Sequence, residues 1–324
     1  MSHSVDRLTE RQAIAEGVAL WNEHVPEFAV PDWLVEQNVY SPFDGVSVTC
    51  WGVREGGTLR SFAVVKRLTR PVGDYDPTET AWLSLFAFDP DGGASAGRTL
   101  LRHVADECRA TGATTLRVGC SPQNLLAGVP DGFPQAYVEA LREVGFELGD
   151  PVYDLERAID GYTVPEAQRA TAEEWPDLSV VRATGREEEL LAFLAEQFPG
   201  RWRYEAENIC RRPGGPADFW LLRHEGEAAG FLRSNRHDGA YRGSNVNWGA
   251  RFADAHCGVG PLGVHEDCRG RGWGLYMIAT VLEQLAADGY DHCVIDWTDL
   301  PGYYEQLGFE RWVAYRTTTL DLSD

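Results

Sequence analysis

The sequence predicts an α/β protein of two tandem domains, each a twisted mixed β-sheet flanked by helices. Three observations predict it. The chain has 324 residues with 44% hydrophobic side chains, enough for two packed cores of ordinary size. Each half runs through strands, a glycine-rich turn, a helix, a strand and a short helix in the same order. The spacing also repeats: 19 residues separate Gly97 from Leu116 and 20 separate Gly274 from Val294, and each half then places a Gly-Phe pair, Gly145-Phe146 or Gly308-Phe309. Duplication explains this order better than two unrelated α/β domains.

In the first half, apolar β-branched and aromatic runs at 46–53, 61–68 and 81–88 predict strands. The turn "DPDGGASAG" follows, then a helix over 98–111, in which Leu100, Leu101, Val104 and Cys108 recur at helical spacing. A strand at 114–119 and a helix at 135–146 complete it. Residues 161–175, "GYTVPEAQRATAEEW", are polar without an apolar period and predict a linker. The domains are therefore expected at 1–160 and 176–324. The second half has a strand at 179–184, a helix at 186–198 and strands at 219–225, 228–234 and 257–264. A helix ending near Asp288 then buries Ile278, Val281, Leu282 and Leu285. A strand at 292–297 and a helix at 302–309 close the series.

Composition excludes several classes of function. There are 50 acidic against 29 basic residues, a formal net charge of −21, which disfavours nucleic acid and anionic membrane surfaces. No run of about 18 apolar residues is present to span a bilayer. The opening "MSHSVDRLTERQ" lacks the apolar core of a secretory signal. Seven cysteines without a CxxC pair indicate reduced thiols, so a cytoplasmic protein is expected. His256, Cys257, His265, Cys268, His292 and Cys293 fit no zinc spacing, and no metal is expected. Lys66 is the only lysine, so an arginine here carries less functional weight than usual.

The strand "GPLGV" leads into "HEDCRGRGWG" and then a helix. A helix N-terminus presents unpaired N–H groups and the positive end of the helix dipole, and glycines let an anion approach the backbone. A P-loop is excluded because the turn has no lysine. The dinucleotide pattern GxGxxG fails in both registers, at Leu275 and at Met277. The pattern [Gln/Arg]-x-x-Gly-x-[Gly/Ala] is met by Arg269, Gly272 and Gly274.

With this turn the sequence resembles the GNAT superfamily of acyl-CoA-dependent N-acyltransferases. "GPLGV" resembles that family's splayed central strand and "GYYEQLGF" its later tyrosine motif. The similarity is specific from about 179 to 316 and weaker before it, giving the layout of a tandem GNAT protein. It implies that Arg269, Gly270, Arg271, Gly272, Trp273 and Gly274 hold the pyrophosphate of coenzyme A, and that Leu262, Gly263 and Val264 offer backbone to the pantetheine arm. Acetyl-CoA is then the expected co-substrate. The segment after "VIDW" lacks the asparagine common there in the family.

The activity this implies is transfer of an acetyl or other short acyl group to the primary amine of a small molecule, by direct attack in a ternary complex. A non-catalytic acyl-CoA sensor or partner-binding module is the alternative. Tyr304 matches the family position of the acid that protonates the leaving thiolate; a free thiol has a pKa of about 8.5, so a neighbouring donor assists departure. A backbone N–H near Val264 would polarise the thioester carbonyl. For the base, period-two alternation places His256, Gly258 and Gly260 on one face, making His256 a candidate, with a surface histidine as the alternative and Asp254 as a second candidate. Arg201, Arg203, Arg211 and Arg212 either bind an acidic group of the acceptor or form a solvated helix face. In the first half, Gly92 stands where Arg269 does, Ser95 where Gly272 does and Leu141 where Tyr304 does. That half is expected to keep the fold without the site, so the chain is either a monomer with a pseudo-dimeric pair of domains or a homodimer.

Overall fold

The computed structural model describes residues 4–239, 241–252 and 255–323, and of residue 250 only the backbone. The chain divides into two compact units. The first takes the described residues up to Val72, Asp76–Val152 and those from Ala314 onward; the second takes Gly73–Tyr75 and Tyr153–Val313.

In chain order the elements begin with β1 (Val5–Leu8), α1 (Arg11–His24), α2 (Asp32–Val35), β2 (Val46–Glu55), β3 (Thr58–Leu68) and β4 (Thr80–Phe88). They continue with α3 (Ala94–Ala110), β5 (Thr115–Val118), β6 (Val129–Pro130), α4 (Gln135–Val144) and β7 (Glu147–Ala158). Then come α5 (Glu166–Glu174), β8 (Ser179–Arg182), α6 (Glu187–Gln197), α7 (Arg201–Cys210), β9 (Phe219–His224) and β10 (Glu227–Arg236). The series ends with α8 (Gly249–Phe252), β11 (His256–Val264), α9 (Trp273–Ala287), β12 (His292–Thr298), α10 (Pro301–Glu305) and β13 (Glu310–Asp321).

The first unit's sheet runs β1-β2-β3-β4-β5-β13-β7 and the second's β7-β12-β11-β10-β9-β8. Each is mixed: β4 and β5 are parallel, β11 and β12 are parallel, and the pairs β2–β3, β3–β4, β9–β10 and β10–β11 are antiparallel. The tandem mixed-sheet expectation holds.

The division into domains differs from the sequence expectation in two ways. The 161–175 stretch is not a free linker: it contains α5, which packs on α9 within the second unit. The boundary is also not at 160. β7 and β13 each pass from one unit to the other, with 147–152 and 314–321 in the first and 153–158 and 310–313 in the second. Helix α3 begins four residues before the expected position, inside the glycine-rich turn.

The repeated Gly-Phe pairs have a shared physical cause. Gly145 and Gly308 take left-handed φ values of 106° and 77°. The N–H of Phe146 returns to Leu141 O, and that of Phe309 to Tyr304 O. Each pair is a Schellman ending, with glycine at the left-handed position and the phenylalanine buried after it.

In the second unit, Met277, Ile278, Val281, Leu282 and Leu285 of α9 are fully buried against Leu232, Val259, Cys257, Cys293 and Ile295 of the sheet. Each such aliphatic side chain contributes roughly 1.5–3 kcal/mol by leaving water. This packing fixes the N-terminus of α9 against the end of β11. Among the described residues, no helix is long and apolar enough to cross a membrane, and no group of three or more His, Cys, Asp or Glu is placed to hold a metal ion.

Candidate functional site

β11 pairs with β10 as far as Val264 but with β12 only at 256–258. Beyond Gly258 the two parallel strands diverge, and β12 continues along β7 instead. His265 donates its N–H to Ala229 O on the β10 side. Backbone groups alternate along a strand, so Val264 and Leu262 turn theirs toward the open side. Arg269 Nε donates to Val264 O at 3.2 Å, which leaves the N–H of Val264 facing the gap. Gly260 sits at the opening with φ +132°, a conformation only glycine adopts readily. A side chain at Gly263 would overlap the Phe198 ring, so this glycine lets α6 seat on the strand.

The turn after β11 follows from its glycines. Gly270 and Gly272 have φ of +79° and +76°, and Gly272 is the N-cap of α9. The first bond inside α9 is Tyr276 N–H to Gly272 O, so the N–H groups of Trp273, Gly274 and Leu275 have no helical partner. Arg269 and Arg271 are exposed beside them. Arg271 donates to Asp267 O at 3.0 Å and stacks over Trp175 and Trp273, each at 5.2 Å. A Cβ at Gly274 would collide with the Tyr303 hydroxyl. Strand gap and turn together form an edge of unpaired backbone ending in a cationic N–H cradle. That arrangement fits a long ligand with an amide-bearing arm and a diphosphate, which is the form of coenzyme A.

α10 brings two tyrosines to this gap with their rings 5.2 Å apart and nearly perpendicular. Tyr303 packs over Gly274, and burial pushes its pKa up to about 12. The Tyr304 hydroxyl bonds the side chain of Thr298 at the end of β12. Burial holds the Tyr304 proton well above its ordinary range; Tyr303 and Asp296 add to this and the Thr298 bond opposes it. Tyr304 is thus a neutral donor throughout the physiological range.

Asp296, on β12, is the acidic group that faces the opening. Its Oδ1 lies 3.8 Å from where a Cβ of Gly260 would stand. Ser244 Oγ donates to its Oδ2. Burial raises its pKa above the ordinary 3.8, against the lowering effects of the Ser244 bond and of Arg233. Sequence reasoning passed over this residue. The available signal was a carboxylate inside the apolar run "HCVIDW", where an unpaired charge is costly.

His256 is placed elsewhere. It lies at the start of β11, where that strand still pairs with β12, and only 3% of it is exposed. Its ring stacks on His237 at 5.3 Å, and Gly249 packs against its Cε1. Four residues separate it from Gly260, about 13 Å of strand. The shared face holds no acceptor at Gly258 either, because Asn245 occupies that space. Asp254 lies outside the described residues. The arginines of α7 are mostly paired on their own helix, Arg201 with Glu205 at 2.7 Å and Arg203 with Glu207 at 3.0 Å.

Residues 173–309 match the model of the acetyltransferase (GNAT) family. No curated protein sequence matches the chain. Solved structures share its fold. One is a fungal GCN5-related glucosamine N-acetyltransferase region of a multi-domain GH3 beta-N-acetylglucosaminidase, with TM-score 0.86 and 20% identity over 98% of this chain. The chain spans 38% of the length of that protein. A tandem GNAT protein from the clavulanic acid biosynthesis pathway has TM-score 0.63 and 16% identity, covering 100% of this chain and 99% of its own. A GCN5-related N-acetyltransferase from Sphaerobacter thermophilus has TM-score 0.65 and 14% identity, covering 99% and 96%.

Proposed function

We propose that the second unit, in which residues 173–309 match the acetyltransferase (GNAT) family model, transfers an acetyl group from acetyl-CoA to the primary amine of a small polar molecule, by direct attack in a ternary complex. The observation that carries this reading is the strand gap flanked by a carboxylate and a tyrosine of opposite task. Asp296 stands beside Gly260, and the Tyr304 hydroxyl bonds Thr298 at the end of β12, within electrostatic reach of Asp296. An acyl-CoA sensor needs the cradle alone and has no use for this pair.

Acetyl-CoA supplies the thioester. The residues of the cradle, from Arg269 to Gly274, hold its diphosphate, and the open backbone of Leu262 and Val264 pairs with its pantetheine amides. The Val264 N–H polarises the thioester carbonyl. Asp296 accepts the proton that the ammonium group gives up, so the free amine can form the new C–N bond. Its raised pKa brings its basicity closer to that task than an exposed carboxylate would have. Tyr304 gives its proton to the sulfur as the C–S bond breaks, and the nitrogen sheds its second proton as the amide forms, which restores the phenol through solvent. Burial keeps that proton in place beforehand.

The fungal relative is described as a glucosamine N-acetyltransferase region, which makes amino sugars the first acceptors to test. The experiment is thiol release from acetyl-CoA over a panel of amino sugars, amino acids and polyamines, with mass spectrometry of the product. Thiol release that depends on an amine supports the reading; CoA binding without turnover on any amine leaves the sensor.

A further inference from the structure

Buried polar groups in a folded protein nearly always have partners. One side of the Asp296 opening departs from this. Arg233 of β10 is 4% exposed, yet its Nε and Nη2 have no partner among the described residues. Asn235, 1% exposed, has an unpartnered Oδ1, and Asn245, 3% exposed, has neither its Oδ1 nor its Nδ2 engaged.

Resting on the acyl-transfer reading above, we propose that the acceptor is a zwitterion, an amine that also carries a carboxylate or phosphate, and that Arg233 receives this oxyanion while Asp296 faces the ammonium group. Nε and Nη2 form one edge of the guanidinium, the fork that matches two oxygens of a single carboxylate or phosphate. The Arg233 cation stands over the Tyr241 ring at 4.8 Å and over Phe219 at 5.9 Å, and this in-plane edge remains free. The acids around it bond other groups: Asp218 Oδ1 bonds Arg236 at 3.0 Å, Glu205 bonds Arg201 at 2.7 Å and Asp296 bonds Ser244, while Asp218 Oδ2 is itself without a hydrogen-bond partner among the described residues. Asp218 and Asp296 act on Arg233 through space, but no acceptor among the described residues meets its Nε–Nη2 edge, so a ligand oxyanion placed there gains the hydrogen bonds that the protein itself omits.

One stretch ties this edge to the reaction centre. Tyr241 stacks on Arg233, Gly243 lies against the Asn235 amide, Ser244 bonds Asp296, and Asn245 lies 3.9 Å from the Cβ position of Gly260. Asn235 Nδ2 in turn donates to Gly260 O at 3.2 Å. Both asparagines therefore adjoin Gly260, as Asp296 does, and hydroxyls of an acceptor bound there would meet their free amide atoms.

The test uses the full chain with CoA present and three matched probes: glucosamine, glucosamine 6-phosphate and glucosaminic acid, titrated by calorimetry. At least one anionic probe is expected to bind about 10-fold tighter than glucosamine or better, and which one does so distinguishes phosphate from carboxylate. Arg233→Gln should abolish that advantage. Arg233→Lys, which keeps the charge and loses the fork, should retain only part of it and guards against a folding defect in the first variant. Equal affinity for all three probes, no binding of either anionic probe, or an advantage that survives in Arg233→Gln overturns the proposal. Thiol release is read separately. Acetylation of glucosamine with no preference for an anion leaves the transfer reading standing and removes this one. An anionic probe that binds through Arg233 without turnover does the reverse.

Discussion

The two units place the same strand in opposite circumstances. In the second, β11 leaves its partner and its outer backbone edge stays open. In the first, β4 leaves β5 after Leu83, and the space is filled by the unit's own chain. Tyr137 of α4 donates its hydroxyl to Phe88 O at 2.6 Å and accepts the Phe88 N–H at 3.1 Å. These are backbone groups at the end of β4, as Val264 is at the end of β11. Trp21, Phe86, Phe133, Leu126 and Leu141 close the rest to a cavity of about 10 Å³, no more than one water requires. At the turn, the Asp91 N–H is taken by the Asp89 carboxylate and the Gly93 N–H by the Asp89 carbonyl.

The strands beside β4 and β11, which are β3 and β10, differ in the same direction. Lys66 pairs with Trp82, six residues before the end of β4 at Phe88, and Asn235 pairs with Gly258, six before the end of β11 at Val264. Lys66 Nζ is held by Asn38 Oδ1 and the carbonyls of Pro122 and Gln123. Asn235 and its neighbour Arg233 keep free atoms. The cation of the first unit is thus met by the unit's own acceptors, whereas two donors of Arg233 in the second are not.

The comparison is broken most sharply at Asp296. Asp296→Asn should lower kcat by about 10²- to 10⁴-fold, the range for a positioned base. It should also remove the acid limb of the kcat/KM profile, which in the native protein falls as pH drops through the raised Asp296 pKa. Stability moves the other way. The folded carboxyl holds its proton more tightly than the unfolded one, so its contribution is complete below the ordinary 3.8 and is lost as pH rises through the folded value. The asparagine variant should therefore melt higher than the native protein at pH 7; a lower Tm would contradict the burial argument.

Tyr304→Phe should cost about 10- to 10²-fold in kcat with CoA affinity unchanged, whereas changing Leu141 to Tyr in the first unit should confer no activity. Gly272→Val forces a β-branched residue into a left-handed conformation at the cradle and should weaken CoA binding by roughly 10-fold, a loss of about 1.4 kcal/mol. Ser95→Val should change nothing. Titration of the native chain should count one CoA site; two comparable sites would show that the filled gap of the first unit opens. The smallest effect lies at Tyr137→Phe, which should leave kcat intact and destabilise the fold by about 1 kcal/mol through the loss of its bonds to Phe88.

The parts legible in the sequence were those with local signatures. The glycine turn and the start of α9 could be read because left-handed glycines and a helix start are nearest-neighbour matters, and the short helix carrying Tyr303 and Tyr304 because it precedes a Schellman ending. The surroundings of Asp296, Arg233 and Asn245 could not, because they depend on which groups find partners far away in the chain and which do not. His256 was drawn toward the site by correct strand alternation, but alternation fixes a face and says nothing of position along it. The domain boundary was missed for a similar reason: β7 and β13 show no local mark of passing from one unit to the other midway.

That exchange governs the order in which the protein can be made. β5 pairs with 318–321 of β13, so the first unit's sheet lacks its inner strand until the ribosome has emitted nearly the whole second unit. Domains usually fold in turn as they emerge; here the earlier one must wait, with the edge of β5 unpaired and available to other chains. A gene cut at the apparent linker would yield a first half without its strand from 314–321 and a second half without 153–158. Neither piece should be soluble alone, while co-expression of a first piece ending after β7 with a second piece carrying the rest should restore both.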